Sequence, residues 1–303
     1  MNFYSNGKLL LTGEYVVLDG AKSLAIPTKF GQALVVKHVV STDRRKLVWE
    51  SYDERKNCWY TSSFFLDELT LNTPHTDEVS QILTTILSEA KRLNPSFLTG
   101  IHDFHVKTML TFPRNWGLGS SSTLIHNIAL WANIDPYALL WNAFSGSGYD
   151  IACAKHHTPI MYELINNKPK VTEISFVPSF MDQLYFIHLN QKQNSRAAIT
   201  KYRQKRGHFI NEIKIVNAIT SEMISCKSLH DFNLLLSEHE EIIATIIEET
   251  PVKKRLFSDY FGEIKSLGAW GGDFILATGN ADTPNYFSKK GYTTIIPFKE
   301  MIL

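Results

Sequence analysis

The sequence predicts an α+β protein of two domains, and three observations carry that expectation. Its 303 residues are more than one small core organises, and suit one large or two medium domains. Strand-like and helix-like segments alternate irregularly, which favours α+β layers over a regularly wound parallel sheet. The loosest join, the Asn-Asn-Lys-Pro-Lys stretch at 166–170, puts a domain boundary at about 165–180, hence an N-terminal domain 1–170 and a C-terminal domain 171–303.

The elements follow in chain order. From Gly7 to Val39, short β-branched and apolar runs are cut by glycine and proline, which reads as strands and tight turns, and 46–53 and 59–69 continue that pattern. Between Asp77 and Leu93, apolar residues at Val79, Ile82, Leu83, Ile86, Leu87 and Ala90 recur at helical spacing behind an acidic first turn. Residues 102–112 alternate, with Phe104, Val106, Thr108, Leu110 and Phe112 on one face of a strand. A second helix carries Leu124, Ile125, Ile128, Ala129 and Ala132, and Ser120 to Ser122 are expected to cap it. Later segments read as a strand at 181–190, helices across 221–246, a strand at 273–278 after a glycine turn, and one more strand at 292–298.

Bulk properties exclude several functions. Charged residues are 20% and hydrophobic ones 44%, the balance of a chain that folds throughout. Lys and Arg total 31 against 30 Asp and Glu, so no global field draws the protein to nucleic acid or an anionic membrane. Cys58, Cys153 and Cys226 lie far apart without metal-ligand spacing, as expected of a reducing, cytosolic compartment. The N-terminal apolar run is broken by Gly13 and Glu14 and is not expected to be a signal peptide. No window approaches the roughly 18 apolar residues of a membrane span. Small-molecule partners are expected, with a monomer or homodimer as the assembly.

The junction Phe-Pro-Arg-Asn-Trp-Gly-Leu-Gly-Ser-Ser-Ser, residues 112–122, places two glycines and three serines between a strand and a helix. A helix N-terminus has unpaired N–H groups and a partial positive charge, so an anion gains hydrogen bonds there. Gly117 and Gly119 let a backbone approach a phosphate, and serine hydroxyls ligate Mg²⁺ or phosphate oxygen. The common phosphate loops match poorly: no lysine follows Gly119, and the dinucleotide fingerprint needs a third glycine or alanine where Ser122 stands and an acid about 20 residues on, at the end of a second strand. A plain Gly/Ser turn or linker remains the competing explanation.

Three further segments accompany this one: Ser-Asn-Gly-Lys-Leu-Leu-Leu-Thr-Gly-Glu-Tyr at 5–15, Ser-Gly-Ser-Gly-Tyr-Asp-Ile-Ala-Cys-Ala at 145–154 and Lys-Ser-Leu-Gly-Ala-Trp-Gly-Gly-Asp-Phe-Ile-Leu at 265–276. Together, in this order and spanning nearly the whole chain, the four resemble the signature segments of the GHMP kinases, those of galactokinase, homoserine kinase, mevalonate kinase and phosphomevalonate kinase. The Gly-Tyr-Asp-Ile-Ala spelling also matches a bacterial subgroup named for it. The resemblance implies a two-domain GHMP kinase fold, with an N-terminal half like ribosomal protein S5 domain 2, a ferredoxin-like C-terminal half, and ATP with Mg²⁺ as cofactors. It also implies transfer of a phosphoryl group to a small anionic metabolite, phosphomevalonate first and mevalonate second. A GHMP-fold protein that binds nucleotide or metabolite without transfer is the alternative.

The resemblance also assigns residues. Asp150 would be the catalytic acid-base, taking the proton of the acceptor hydroxyl, unless it only caps its helix. Lys8 would lie beside Asp150 and hold it ionised, unless it is a snorkelling lysine at a strand end; Asn6 stands where the family has proline. Gly117, Leu118, Gly119, Ser120, Ser121 and Ser122 would cradle the triphosphate, with Ser121 the Mg²⁺ ligand. The glutamate that mevalonate kinase uses as a second metal ligand is replaced by Leu139, so either another carboxylate serves, Glu14 (also a candidate substrate contact) or Asp135, or the ion is held through phosphates and water. Gly268, Gly271 and Gly272 would form the third glycine loop at the substrate, where Trp270 brings bulk that would narrow the pocket. In the acid-free run from Lys192 to Arg206, Ser195 and Arg196 would meet an anionic substrate group; a solvated basic face fits the remainder equally well, and a nucleic-acid surface has no aromatic interleaving to support it. The paired histidines, His102 with His105 and His156 with His157, lack a third ligand.

Overall fold

The computed structural model describes residues 1–72, 77–191, 195–204, 209–268, 270 and 272–303, with the side chains of 195–197 outside that description. The strands are β1 (Asn2–Leu10), β2 (Ser23–Val40), β3 (Lys46–Tyr52), β4 (Cys58–Phe65), β5 (Thr70–Leu71), β6 (His102–Leu110), β7 (Ile160–Ile165), β8 (Lys168–Glu173), β9 (Leu184–His188), β10 (Ile264–Ser266), β11 (Phe274–Thr278) and β12 (Ile295–Pro297). The helices are α1 (Glu78–Leu93), α2 (Ser120–Ala132), α3 (Pro136–Ala143), α4 (Tyr149–Lys155), α5 (Ser195–Gln204), α6 (Ile210–Ser225), α7 (Leu229–Ile247), α8 (Val252–Leu256), α9 (Thr283–Lys289) and α10 (Phe298–Met301).

The chain packs into two compact units that interleave in sequence: Met1–Gly7, Phe30–Arg114 and Leu118–Lys155 form the first, and Lys8–Lys29, Asn115–Gly117 and His156–Leu303 the second. A single cut near 165–180 therefore does not separate them. The reason lies in β2, whose start pairs with β7 and whose later residues pair with β6.

In the first unit, strands run in the order β5-β4-β3-β6-β2, antiparallel except for the parallel β3–β6 pair. Register places Trp49 opposite Val106, Val36 opposite Val106 and Leu47 opposite Phe64, so one face of the sheet is apolar. That face packs with α1, α2, α3 and Ile151 of α4 into a single core. Helix α1 begins where its sequence says it should: the Asp77 carboxylate accepts from the Ser80 amide at 2.8 Å, and Leu83, Ile86, Leu87 and Ala90 form its buried stripe. Each of the leucine and isoleucine side chains contributes about 1.5–3 kcal/mol by leaving water.

Helix α2 is buried on most of its circumference and carries polar groups into that interior. Each finds a partner: Ser5 Oγ donates to Asn127 Oδ1 at 2.8 Å and lies 2.7 Å from His126 Nδ1, while Asn127 Nδ2 donates to the Gln32 carbonyl at 2.9 Å. Buried polar groups are retained at low cost only when paired in this way, and here the pairs fix α2 against β1 and β2. Helix α4 packs against α2.

In the second unit, the sheet order β10-β11-β9-β12 is wholly antiparallel. The chain order strand, helices, two strands, helix, strand with this spatial order is the ferredoxin-like arrangement. The start of β2 also pairs with β7, and β7 with β8.

Candidate active site

The glycine-serine turn is held residue by residue. His188 Nε2 lies 3.1 Å from the Asn115 carbonyl, and the Trp116 ring stands edge-on to Phe274 with centroids 5.5 Å apart. Lys8 Nζ donates to the Gly117 carbonyl at 2.9 Å. Gly117 has φ +67° and Gly119 φ +90°, left-handed backbone that glycine adopts without the penalty a Cβ brings. Leu118 between them is wholly buried.

Helix α2 starts differently from the expectation that serines cap it. Gly119 is the N-cap, no side chain caps the first turn, and Thr123 N closes the first bond to the Gly119 carbonyl at 3.0 Å. The hydroxyls turn the other way: Ser122 Oγ donates to the Gly119 carbonyl at 2.9 Å, and Thr123 Oγ1 lies 3.0 Å from the Ser120 carbonyl and 2.8 Å from Gln32 Oε1. Three serines in the first helical turn cannot occupy the cap, because the cap residue needs non-helical dihedrals. The consequence is a helix start with no cap hydrogen bond from its N-cap residue and no acidic side chain in its first turn. Ser120 is half-buried and Ser121 exposed.

Asp150 is half-buried in the first turn of α4. Ala152 N donates to the Gly148 carbonyl at 3.1 Å, so Gly148, not Asp150, stands at the cap position, and capping does not explain the aspartate. The nearby Tyr137 hydroxyl is pushed well above its usual pKa by burial first, then by the charges of Cys153, Asp150 and Asp135. Leu139 is fully buried in the first core. Asp135, one proposed replacement for the missing metal carboxylate, caps α3 by accepting from Tyr137 N at 3.0 Å.

Glu14, the other replacement and a predicted substrate contact, is corrected more strongly. Its side chain is wholly buried in the second unit; Oε1 accepts from Lys265 Nζ at 2.5 Å and Oε2 lies 3.6 Å from His239 Nε2. His239 Nε2 accepts from the Gly13 amide at 2.9 Å, and Lys265 Nζ also lies 3.8 Å from Glu240 Oε2, while Glu240 Oε1 accepts from Ser266 Oγ at 2.6 Å. Burial, partly offset by Lys265, raises the Glu14 pKa above the usual carboxylate range. The same two causes, with burial the larger, bring Glu240 to about 7. Burial first, and then the Lys265 charge, keeps His239 well below its usual value and therefore neutral. This cluster ties the first glycine segment to the third, and sequence reasoning missed it. The one signal was a lysine inside an apolar strand.

In the third glycine segment, Gly268 has φ +61° and open space where a Cβ would stand, so its requirement is conformational. Gly272 is buried, and Gly271 lies outside the described residues. Trp270 directs its bulk into the core of the second unit. Its ring is buried with Val16, Ala21, Tyr202, Val216 and Ile243, where it anchors the segment. The backbone of Ser195 and Arg196 opens α5, with their side chains outside the described residues; further along, Lys201 pairs with Glu249 at 2.7 Å and the Tyr202 hydroxyl donates to Asp19. Among the described residues, no group of three or more His, Cys, Asp or Glu converges as a metal site, and no helix is long and apolar enough to cross a membrane.

The structure thus brings Lys8, Gly117 and Asp273 together in the second unit, and the start of α2 and the α4 helix of Asp150 together in the first. No family model matches the chain, and no curated protein does. Solved structures do. The mevalonate kinase of Methanococcus jannaschii matches with a TM-score of 0.69 at 15% identity, over 96% of this chain and 94% of that one. Phosphomevalonate kinase of Streptococcus pneumoniae, in complex with phosphomevalonate and AMPPNP, matches at 0.69 and 13% identity over 96% and 95%. Galactokinase of Lactococcus lactis, complexed with galactose, matches at 0.68 and 14% identity over 95% and 87%. At such identities the likeness establishes the architecture: the chain has the two-domain α+β fold of the GHMP kinases.

Proposed function

We propose that the protein is an ATP-dependent kinase that phosphorylates a hydroxyl or phosphate of a small anionic metabolite, with phosphomevalonate the first acceptor to test and mevalonate the second. One observation carries the reading: in this fold, the start of α2 follows two left-handed glycines and presents first-turn amides with no side-chain cap. A triphosphate suits such a place because it gains hydrogen bonds and a favourable dipole at once. Leu118 to Ser122 would supply the donors, and the exposed Ser121 hydroxyl would ligate Mg²⁺.

ATP supplies the transferred phosphoryl group and Mg²⁺ would neutralise charge on its oxygens. The residues of this chain do the rest. Asp150 is proposed to accept the proton of an acceptor hydroxyl, with Lys8 as the second catalytic residue. The fit to the metal is partial, since Leu139 is in the core, Asp135 caps a helix and Glu14 is committed to Lys265. Ser121, phosphate oxygens and water would therefore form the ion's surroundings. Gly268, Gly271, Gly272, Ser195 and Arg196 are proposed to line the acceptor side. The cysteines, which form no disulfide among the described residues, fit a cytosolic protein.

The buried Leu139 favours a second reading, a protein of this fold that binds nucleotide or metabolite without transfer. ATP consumption with phosphomevalonate, mevalonate, homoserine and sugar acceptors decides between them. Turnover on one acceptor supports the kinase; tight nucleotide binding with no turnover on any supports the binding protein.

A further inference from the structure

The turn leading into α2 is restrained at three successive residues, and one of the groups restraining it has no part in the reading above. A Cβ built on Gly117 would stand 2.2 Å from Asp273 Oδ2 and 2.3 Å from its Cγ. The Asp273 carboxyl therefore occupies the space that a side chain at 117 would take. The Gly117 carbonyl is the acceptor for Lys8. Gly117 is thus contacted on its Cα by a carboxylate and on its oxygen by an ammonium, in a left-handed conformation that glycine alone would leave easily.

Asp273 is itself firmly mounted. Its carbonyl accepts from Leu189 N at 2.8 Å, and the next residue opens β11, where Phe274 pairs with His188 of β9. His188 and Phe274 are the groups that meet Asn115 and Trp116. The sheet, rather than the glycine segment at 267–272, sets where Asp273 stands.

We propose that Asp273 is a positioning residue for phosphate binding. Its carboxyl, with Lys8, fixes the Gly117 peptide and through it the direction of the amides at Leu118 and Gly119. The inference rests on the kinase reading for its ligand, though not for the contact itself. Misplacement of a binding group by about 1 Å is enough to lose two orders of magnitude in rate, so a restraint on one peptide matters.

The test uses the full chain with four variants, Asp273→Ala, Asp273→Asn, Gly117→Ala and the Gly117→Ala/Asp273→Ala pair. AMP-PNP with Mg²⁺ is titrated by calorimetry, thermal midpoints are recorded, and ATP KM and kcat are measured on an accepted substrate. Asp273→Ala is expected to weaken the analogue by about tenfold or more and to raise KM more than it lowers kcat, while Asp273→Asn, equal in shape, retains wild-type affinity. Gly117→Ala is expected to lower the thermal midpoint, and the pair to recover part of that loss because the colliding carboxyl is gone. Wild-type affinity in Asp273→Ala, with the wild type binding normally, would overturn the proposal and leave the kinase reading standing. Strictly additive thermal effects would overturn the contact. A wild type that binds no analogue would instead overturn the kinase reading and, with it, the phosphate role of Asp273.

Discussion

Replacing Lys265 by methionine removes the ammonium that two buried carboxylates share. Glu14 and Lys265 have side-chain exposures of 0%, and Glu240 is 4% exposed, so water cannot substitute for the lost charge. Breaking a buried pair by deleting one partner costs about 3–5 kcal/mol, because a charge is left uncompensated. The carboxylates have an escape, which is to bind protons, and this gives the prediction its signature. In the variant, both carboxyl pKa values rise further above their unfolded values near 4.5. The variant then keeps its Glu240 proton above about 7, where the wild type releases its own, so the loss relative to wild type is small in acid and grows above that pH, by about 1.4 kcal/mol per unit for each carboxyl protonated in the variant and not in the wild type. Thermal unfolding of wild type and Lys265→Met at pH 5 and pH 8 measures it. At pH 8 the midpoint should fall by on the order of 10 °C, and by much less at pH 5. Adding Glu14→Gln and Glu240→Gln should restore most of the loss. A midpoint unchanged at pH 8, or a loss equal at both values, would refute the buried-charge reasoning.

Three further outcomes follow from the same geometry. Glu240, at about 7 in the folded protein against 4.5 unfolded, contributes stability that is present below 4.5 and lost as pH rises to 7; Glu240→Gln should flatten the wild-type stability profile across that window, by an amount on the order of 3 kcal/mol at its upper end. Gly119→Ala forces a Cβ into φ +90° and should cost about 1–2 kcal/mol in unfolding free energy, with nucleotide affinity falling more than stability does. Asp150→Asn should cut turnover by orders of magnitude while calorimetric ATP affinity stays near wild type; near-normal turnover would remove Asp150 from the chemistry.

Much of the local structure was legible because it depends on neighbours in sequence. Asp77 and the apolar spacing behind it specify α1, and the alternation from Phe104 to Phe112 specifies β6. The glycines at 117 and 119 were legible as a special turn, yet the serines were misjudged as caps, because composition shows which residues favour a cap and not which one adopts cap dihedrals. What sequence could not show depends on distant segments. Glu14, His239, Glu240 and Lys265 meet only after the second unit folds, so the commitment of Glu14 was invisible, as was the contact of Asp273 with Gly117. Trp270 was legible as bulk in a glycine loop, though not as an anchor whose ring is buried beside Val16 and Tyr202. The interleaving of the two units escaped notice for a similar reason, since β2 contributes its start to one pairing and its remainder to another.

The central claim is that the start of α2 holds a triphosphate. A crystal structure of the protein with AMP-PNP and Mg²⁺ tests it most directly. The account predicts phosphate oxygens within hydrogen-bonding distance, about 2.7–3.2 Å, of the amides from Leu118 to Ser122. A nucleotide bound elsewhere, with those amides turned to water, would contradict it.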